Sequence, residues 1–223
     1  MSPTLILFDL EGTLLDGALA ARAAMEQAFQ RIFGVIAQAR GGGTDLQMFA
    51  AMAERSGVTL QTATLTRLLP AYYDVLERTL ATAPPLLLPG VPRLVATLAA
   101  EPRCRLALAT GNLHGGAQRK LARCGLDRAF PTGGFGDDGV HPTEVAATAW
   151  READRHYGIT FEARATVLVG DAAEDVQAAR LHGFRAMAVG TGRGGPGPAA
   201  EARPDVLFPD LTDTRRIISW LLD

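Results

Sequence analysis

Short, continuous apolar runs recur along the chain, and they predict buried strands. The four clearest runs cover residues 4–10, 104–110, 165–171 and 185–190, and a weaker one covers 205–210. Their apolar positions do not alternate with polar ones, which is typical of parallel strands that are buried on both faces. Segments with helical spacing lie between them, at 91–100, 115–126, 143–158 and 172–183. Strands that alternate with helices in this way predict an α/β fold built on a doubly wound parallel sheet.

Residues Gly17 to Leu87 interrupt this alternation. The stretch contains no convincing strand, and its apolar residues recur at helical spacing in three segments. The second segment opens with Thr44 and Gln47, whose spacing is that of a capping box at a helix start. Pro70 lies inside the third segment, where it predicts a kink or a break. We therefore predict an all-helical cap domain at residues 17–87, inserted into an α/β core domain formed by residues 1–16 and 88–223.

Composition and charge narrow the range of functions. The chain has 223 residues, of which 48% are hydrophobic and 21% are charged, as in ordinary globular proteins. The net charge of -2 and the lack of a basic run argue against a nucleic-acid partner. Apolar runs fall well short of the roughly 18 residues of a membrane span, and the N-terminus lacks a signal-peptide pattern. We expect a cytoplasmic protein without a membrane partner, in which Cys104 and Cys124 are reduced thiols.

Polar residues follow three of the predicted strands, and ligands of an open parallel sheet bind beyond the carboxyl ends of its strands. The residues concerned are Asp9 and Glu11 after the first strand, Thr110, Gly111 and Asn112 after the second, and Asp171 and Asp175 after the third. If the strands are neighbours, these residues meet in one crevice. Crowded carboxylates repel one another unless a cation lies among them, and ligands that offer only oxygen suit Mg²⁺. A threonine hydroxyl and loop amides are groups that hold an anion such as phosphate.

Three motifs occur in a fixed order: FDLEGTLLD after the first strand, LATGN after the second and LVGDAAED after the third. With the helical insertion between the first two, the chain resembles the haloacid dehalogenase superfamily of aspartyl-nucleophile hydrolases, most of which are phosphatases. The stretches LPGV and CGLDRAFPTGGFGDDG resemble the phosphoglycolate-phosphatase-like branch of that superfamily. The resemblance extends over nearly the whole chain and implies a hydrolase with a helical cap.

The resemblance also implies a role for each motif residue. Asp9 is then the nucleophile that forms an aspartyl-phosphate, and Glu11 is the general acid and base. Mg²⁺ is bound by Asp9, by the backbone carbonyl of Glu11 and by Asp171, with Asp175 close by. The phosphoryl oxygens are held by Thr110, Gly111 and Asn112.

The chain departs from the family at two positions. Most phosphatases of the family have aspartate where Glu11 stands, and glutamate extends the side chain by roughly 1.5 Å. The family also has a lysine before the helix that leads to its fourth motif, whereas this chain has His141 there, which we take as a candidate phosphate-binding residue. Lys120 is the only lysine of the chain, and we expect it on an exposed helix face, away from the site.

The segment RGGGTD, residues 40–45, lies between two predicted helices of the insertion. Its three glycines predict either a flexible loop or a backbone that approaches a substrate, with Arg40 contacting an anionic group.

The function that follows is Mg²⁺-dependent hydrolysis of a phosphate monoester on a small metabolite. Two alternatives remain open: a catalytically weak relative that binds a phosphorylated ligand, and a hydrolase of carbon–halogen bonds. The latter needs neither a metal nor a second acid, so Glu11 and Asp171 argue against it. The sequence leaves open whether the substrate is a sugar phosphate, phosphoglycolate or a nucleotide, and whether the protein is a monomer or a homodimer.

Overall fold

The structure is a computed structural model that describes residues 3–139 and 141–223. Met1, Ser2 and Val140, which fall within the predicted core domain, lie outside the described residues. The strands are β1 (Thr4–Phe8), β2 (Leu15–Asp16), β3 (Leu86–Leu87), β4 (Cys104–Ala109), β5 (Gly133–Gly134), β6 (Thr166–Gly170), β7 (Arg185–Val189) and β8 (Val206–Phe208). The helices are α1 (Ala18–Phe33), α2 (Asp45–Arg55), α3 (Thr62–Thr82), α4 (Val91–Ala100), α5 (His114–Arg123), α6 (Pro142–Tyr157), α7 (Ala173–His182), α8 (Gly197–Glu201) and α9 (Thr214–Leu222).

The main sheet has six parallel strands in the order β5-β4-β1-β6-β7-β8. The central strand β1 pairs with β4 on one side and with β6 on the other, so that Ile6 lies opposite both Leu106 and Val167. The carboxyl ends of these three strands are therefore adjacent. This arrangement confirms the predicted doubly wound α/β fold and brings the three motif-bearing strand ends to one edge of the sheet.

Successive residues of β1 contribute to different hydrophobic cores, because side chains alternate between the two faces of a strand. Ile6 and Phe8 belong to the core that also contains residues of α4, α5 and α9. Leu5 and Leu7 belong to the core that contains residues of α6 and α7. Helices thus cover both faces of the sheet, which explains why its strands are continuous apolar runs.

The inserted helices α1, α2 and α3 have a hydrophobic core of their own, centred on Phe29, Phe49 and Tyr72. The predicted capping box is present at the start of α2. The Gln47 backbone N–H donates to the Thr44 hydroxyl at 3.3 Å, and the Thr44 N–H donates to Gln47 Oε1 at 3.0 Å. Helix α3 runs unbroken through Pro70, so the proline does not divide it.

Several short elements were not predicted from the sequence. The strands β2 and β3 pair as an antiparallel ribbon where the chain leaves and re-enters the core, and β5 consists of two glycines at the edge of the main sheet. Helix α8 lies within the predicted loop 190–204, and α9 follows the last strand. Elements of two residues are too short to show a hydrophobic period, which is why the pattern misses β2, β3 and β5.

Candidate active site

Asp9 lies directly beyond β1, the central strand, and lines a cavity at the carboxyl edge of the sheet. Burial raises the pKa of its carboxyl group well above the ordinary value, and the negative charges of Asp175 and Asp171 raise it further. Hydrogen bonds from the Leu10 backbone and the Thr110 side chain act in the opposite direction. Asp9 is therefore a partly buried acid, and the charges and hydrogen bonds of its neighbours determine how readily it ionises.

Asp171 and Asp175 complete a cluster of three acids with Asp9, in which one carboxylate oxygen of each lies within 4.8 Å of the others. Burial is the main cause that raises the pKa of Asp171 to about 6 and the pKa of Asp175 to about 7. The Ala172 backbone N–H donates to Asp175 Oδ2 at 3.0 Å and orients that carboxylate at the start of α7. A divalent cation among these oxygens offsets the repulsion between the carboxylates, which adds to the effect of burial, and oxygen donors match Mg²⁺. The donor set therefore fits a magnesium ion.

Two glycines allow the chain to pack tightly against Asp171. Gly12, in the turn after β1, has a φ of 84°, and a Cβ atom there would lie 2.6 Å from Asp171 Oδ2. A Cβ atom on Gly192, in the loop after β7, would lie 1.8 Å from the same oxygen. On the other side of this carboxylate, the Thr13 hydroxyl donates to Asp171 Oδ1 at 3.4 Å. Asp171 is thus enclosed by two loops that leave no room for a side chain at these glycines.

The loop Thr110 to Asn112 follows β4 and lines the same cavity. Its ends are fixed by backbone hydrogen bonds, because the Thr110 N–H donates to the Gly134 carbonyl at 3.1 Å and the Asn112 carbonyl accepts from the Gly136 N–H at 2.8 Å. The insertion packs directly on Gly111, where a Cβ atom would lie 3.0 Å from the Gly43 carbonyl oxygen. The loop is therefore held between the sheet and the insertion.

The cavity has a volume of about 290 Å³ and brings the three strand ends together with the insertion. Asp9, Thr110 and Asp171 line it from the core, and Gly42 and Gly43 line it from the insertion. The glycines of segment 40–45 thus contribute backbone atoms to the cavity wall. This agrees with the second of the two predictions for the segment, a backbone that approaches a substrate.

Arg22 of α1, and not the exposed Arg40, is the arginine that lines this cavity. Its guanidinium donates to the Ala39 carbonyl at 3.3 Å and to the Gly41 carbonyl at 2.7 Å. The residue therefore holds the glycine segment in place while it presents positive charge to the cavity.

Glu11 lines the cavity, and its carboxylate is bound on both sides. Lys120 Nζ donates to Glu11 Oε1 at 2.6 Å and to Asn112 Oδ1 at 2.8 Å, and the Gly17 backbone N–H donates to Glu11 Oε2 at 2.8 Å. The expectation that Lys120 lies on an exposed helix face is wrong, because the lysine is 0% exposed. Its position on α5 explains this result: Lys120 lies three residues after Ala117 and next to Leu121, both buried, and so belongs to the inward face of the helix. The metal contact predicted for Glu11 involves its backbone carbonyl, and it stays a prediction.

Asp45 is a site residue that the sequence reasoning missed. It begins α2, is 1% exposed, and accepts from the Leu113 N–H at 2.8 Å and from Asn112 Nδ2 at 3.5 Å. Its own N–H donates to the Gly111 carbonyl at 2.8 Å. Burial raises the pKa of Asp45 to about 6, although the positive charge of Lys120 opposes this rise. The capping box located the start of α2, but no local pattern indicates a contact across 68 residues of chain.

His141 is the one predicted site residue that the structure does not bring to the cavity. It is exposed and immediately precedes α6, where its backbone N–H donates to Glu144 Oε2 at 3.2 Å. The following residue, Pro142, lines the cavity. The family pattern led us to expect a phosphate-binding side chain at this position. The structure has the start of helix α6 there instead.

Comparisons with known proteins agree with this arrangement. A family model for haloacid dehalogenase-like hydrolases matches residues 3–183. Solved structures with a similar fold include CbbY from Rhodobacter sphaeroides in complex with phosphate, at 19% identity and a TM-score of 0.75, covering 95% of this chain and 96% of that one. Another is a predicted phosphoglycolate phosphatase from Haemophilus somnus 129PT, at 21% identity and a TM-score of 0.71, covering 98% and 99%. Identities this low indicate a shared fold.

A mutant of the same CbbY has also been solved, in complex with xylulose-(1,5)bisphosphate, and matches with 19% identity and a TM-score of 0.75 over 95% of this chain and 96% of that one. Comparison with curated protein sequences gives no match. Within the described part of the chain, every helix is too short or too polar to cross a membrane.

Proposed function

The chain belongs to the haloacid dehalogenase-like hydrolases, and on that premise we propose that it is a phosphatase. It hydrolyses a phosphate monoester of a small molecule through an aspartyl-phosphate on Asp9, and its three-acid cluster binds Mg²⁺. The observation that carries the proposal is the proximity of Asp9, Asp171 and Asp175, whose oxygens lie within 4.8 Å of one another beside the Thr110 loop. A dehalogenase does not need this cluster, because its nucleophile attacks carbon without a metal.

In the first step, a carboxylate oxygen of Asp9 attacks phosphorus, and the bond from phosphorus to the leaving oxygen breaks. Glu11 enters this step protonated, donates its proton to that oxygen so that an alcohol leaves, and is then a carboxylate. In the second step, water attacks phosphorus of the aspartyl-phosphate and gives a proton to Glu11. The bond from phosphorus to the Asp9 oxygen breaks, so inorganic phosphate is released and Asp9 is restored. When bound, Mg²⁺ supplies positive charge that offsets the charge of the phosphoryl group.

Thr110 and the backbone amides of Gly111 and Asn112 hold the phosphoryl oxygens in this proposal. Groups that are fixed before the reaction stabilise the transition state without a cost of reorganisation, and this loop is held by hydrogen bonds at both ends. His141 makes no contact with the substrate in this proposal, because it does not line the cavity.

We assign the cap to residues 17–87 and the core to residues 1–16 and 88–223. The cavity of about 290 Å³ suits a small metabolite, and the cap supplies part of its wall through Gly42 and Gly43. The similar CbbY structures contain phosphate in one case and a phosphorylated small molecule, xylulose-(1,5)bisphosphate, in the other. We place the protein in the cytoplasm, as expected from its sequence.

The test is hydrolysis of 4-nitrophenyl phosphate with Mg²⁺ and with a chelator, for the wild type and for Asp9→Asn. We expect turnover that needs the metal and falls by about a thousandfold or more in the variant. Asp223→Asn, an exposed acid at the C-terminus, is the matched control and keeps wild-type activity. Release of halide from a 2-haloacid that persists in the chelator would favour the dehalogenase. Thermal stabilisation by a phosphorylated metabolite without any turnover would favour the binding protein.

A further inference from the structure

Lys120 brings a buried positive charge to the candidate active site from the inward face of α5. Its side chain is 1% exposed, and its ammonium contacts Glu11 Oε1 at 2.6 Å and Asn112 Oδ1 at 2.8 Å. Both partners line the cavity. The lysine therefore touches two residues of the site, and it lines a smaller cavity that shares these two residues with the main one.

Stability alone is a weak explanation for this ion pair. Burying two charges costs much of what their attraction gains, and apolar side chains of similar volume often replace such pairs without loss. Lys120 lines a small cavity together with Ala18, Ala21 and Met48, and an apolar side chain could pack among these residues in its place. A buried ion pair at a candidate active site is better explained by its effect on the orientation of Glu11.

The geometry shows how Glu11 is fixed. Its two carboxylate oxygens have different partners, Lys120 Nζ on Oε1 and the Gly17 N–H on Oε2, at 2.6 and 2.8 Å. With both oxygens bound, rotation about the last side-chain bond breaks at least one strong hydrogen bond. An aspartate at position 11 would end roughly 1.5 Å short of the lysine. The longer side chain is therefore what allows residue 11 to reach Lys120.

We propose that Lys120 is a positioning residue for Glu11, and that glutamate at position 11 and lysine at position 120 form a matched pair. The lysine holds the Glu11 carboxyl group at the place from which its protonated form delivers a proton to the leaving oxygen and its ionised form later takes one from water. Lys120 itself exchanges no proton and makes no contact with the substrate. The inference rests on the proposed phosphatase function, since it concerns the general acid of that reaction.

The test compares two substrates that differ in their need for a general acid. Phenolate is a poorer leaving group than 4-nitrophenolate, so phenyl phosphate depends more on protonation of the leaving oxygen. We expect Lys120→Met to lower kcat for phenyl phosphate by about 10- to 100-fold and for 4-nitrophenyl phosphate by less than about threefold. KM for both substrates should change by less than about threefold, because the lysine does not bind the phosphoryl group.

Glu11→Gln should show the same dependence on the leaving group, and Lys120→Met in that background should cause no further fall in the rate for phenyl phosphate relative to 4-nitrophenyl phosphate, because the lysine affects protonation of the leaving oxygen only through Glu11. The double variant removes both members of the ion pair, so it tests the coupling even if Lys120→Met alone does not fold. Arg155→Met, which removes a cation from an exposed ion pair, is the matched control and keeps the wild-type ratio of the two rates.

Three results would overturn the inference: an equal loss for both substrates, a rise in KM or in the inhibition constant of inorganic phosphate, or a further fall in the rate for phenyl phosphate relative to 4-nitrophenyl phosphate in the double variant. The dependence of turnover on Asp9 distinguishes these results from failure of the proposed function. Turnover that depends on Asp9, with an unchanged substrate ratio in Lys120→Met, overturns the inference alone. A wild-type protein without Asp9-dependent turnover overturns both.

Discussion

Shortening Glu11 to aspartate is expected to destabilise the protein, although aspartate is the residue that most phosphatases of the family have there. The contact between Glu11 Oε1 and Lys120 Nζ is 2.6 Å, and the lysine is buried. With an effective dielectric constant of about 20, the attraction is about 6 kcal/mol at that distance and about 4 kcal/mol when the gap widens by roughly 1.5 Å. The difference, about 2 kcal/mol, is the expected loss, and the ammonium keeps its bond to Asn112 in both proteins.

Thermal unfolding measures this loss. For a chain of this length, about 2 kcal/mol corresponds to a fall in Tm of about 4–8 °C. Glu152→Asp is the matched control, because it shortens the same side chain in an exposed ion pair with Arg155, where we expect a change below about 0.5 kcal/mol. We also expect Glu11→Asp to lower kcat. An unchanged or higher Tm would refute the reasoning, since it would mean that the buried lysine does not need a partner at the reach of glutamate.

Three further predictions concern the acids of the site. Gly192→Ala should abolish most activity, because its Cβ would lie 1.8 Å from Asp171 Oδ2, whereas Gly197→Ala, with open space around it, should be neutral; equal activities would contradict this. Mg²⁺ should raise Tm at about pH 8 and lose this effect below about pH 6, because protons compete for carboxyl groups whose pKa values are about 6 for Asp171 and about 7 for Asp175. A Tm shift that persists at about pH 5 would count against this metal site. The pKa of Asp45 is raised from 3.8 to about 6 on folding, so stability falls as the pH rises through that interval. Asp45→Asn should therefore be more stable than wild type at about pH 8, with an advantage in Tm that shrinks toward about pH 5; a constant difference would argue against the raised pKa.

The sheet and the acids at its edge could be predicted because both depend on local patterns. A continuous apolar run that ends in an acid indicates a buried parallel strand and the edge where ligands bind. In the structure, Asp9 and Asp171 follow neighbouring strands and lie in one cluster. The helices of the insertion could be predicted equally well, because the capping residue Thr44 and the helical spacing are properties of short segments.

The contacts between the insertion and the core could not be predicted in the same way. Asp45 meets Leu113 across 68 residues, and no period or motif in either segment indicates the other. Lys120 was predicted to lie on an exposed face because a charged side chain usually faces solvent, but its helical position beside Ala117 and Leu121 was the better guide. His141 was assigned by its place in the order of motifs, and that order does not specify where a helix begins.

The burial of Lys120 also affects how the protein reacts with chemical reagents. Because it is the only lysine and is 0% exposed, the folded protein offers no lysine side chain to reagents that acylate primary amines. Acylation at this position requires the helix α5 to separate from its surroundings, so its rate measures how often that part of the molecule opens. The mass of the peptide that contains Lys120, measured after timed labelling, would then follow the opening of the site separately from labelling of the N-terminal amine and without an introduced probe. A ligand that closes the cavity should slow the labelling in proportion to its occupancy.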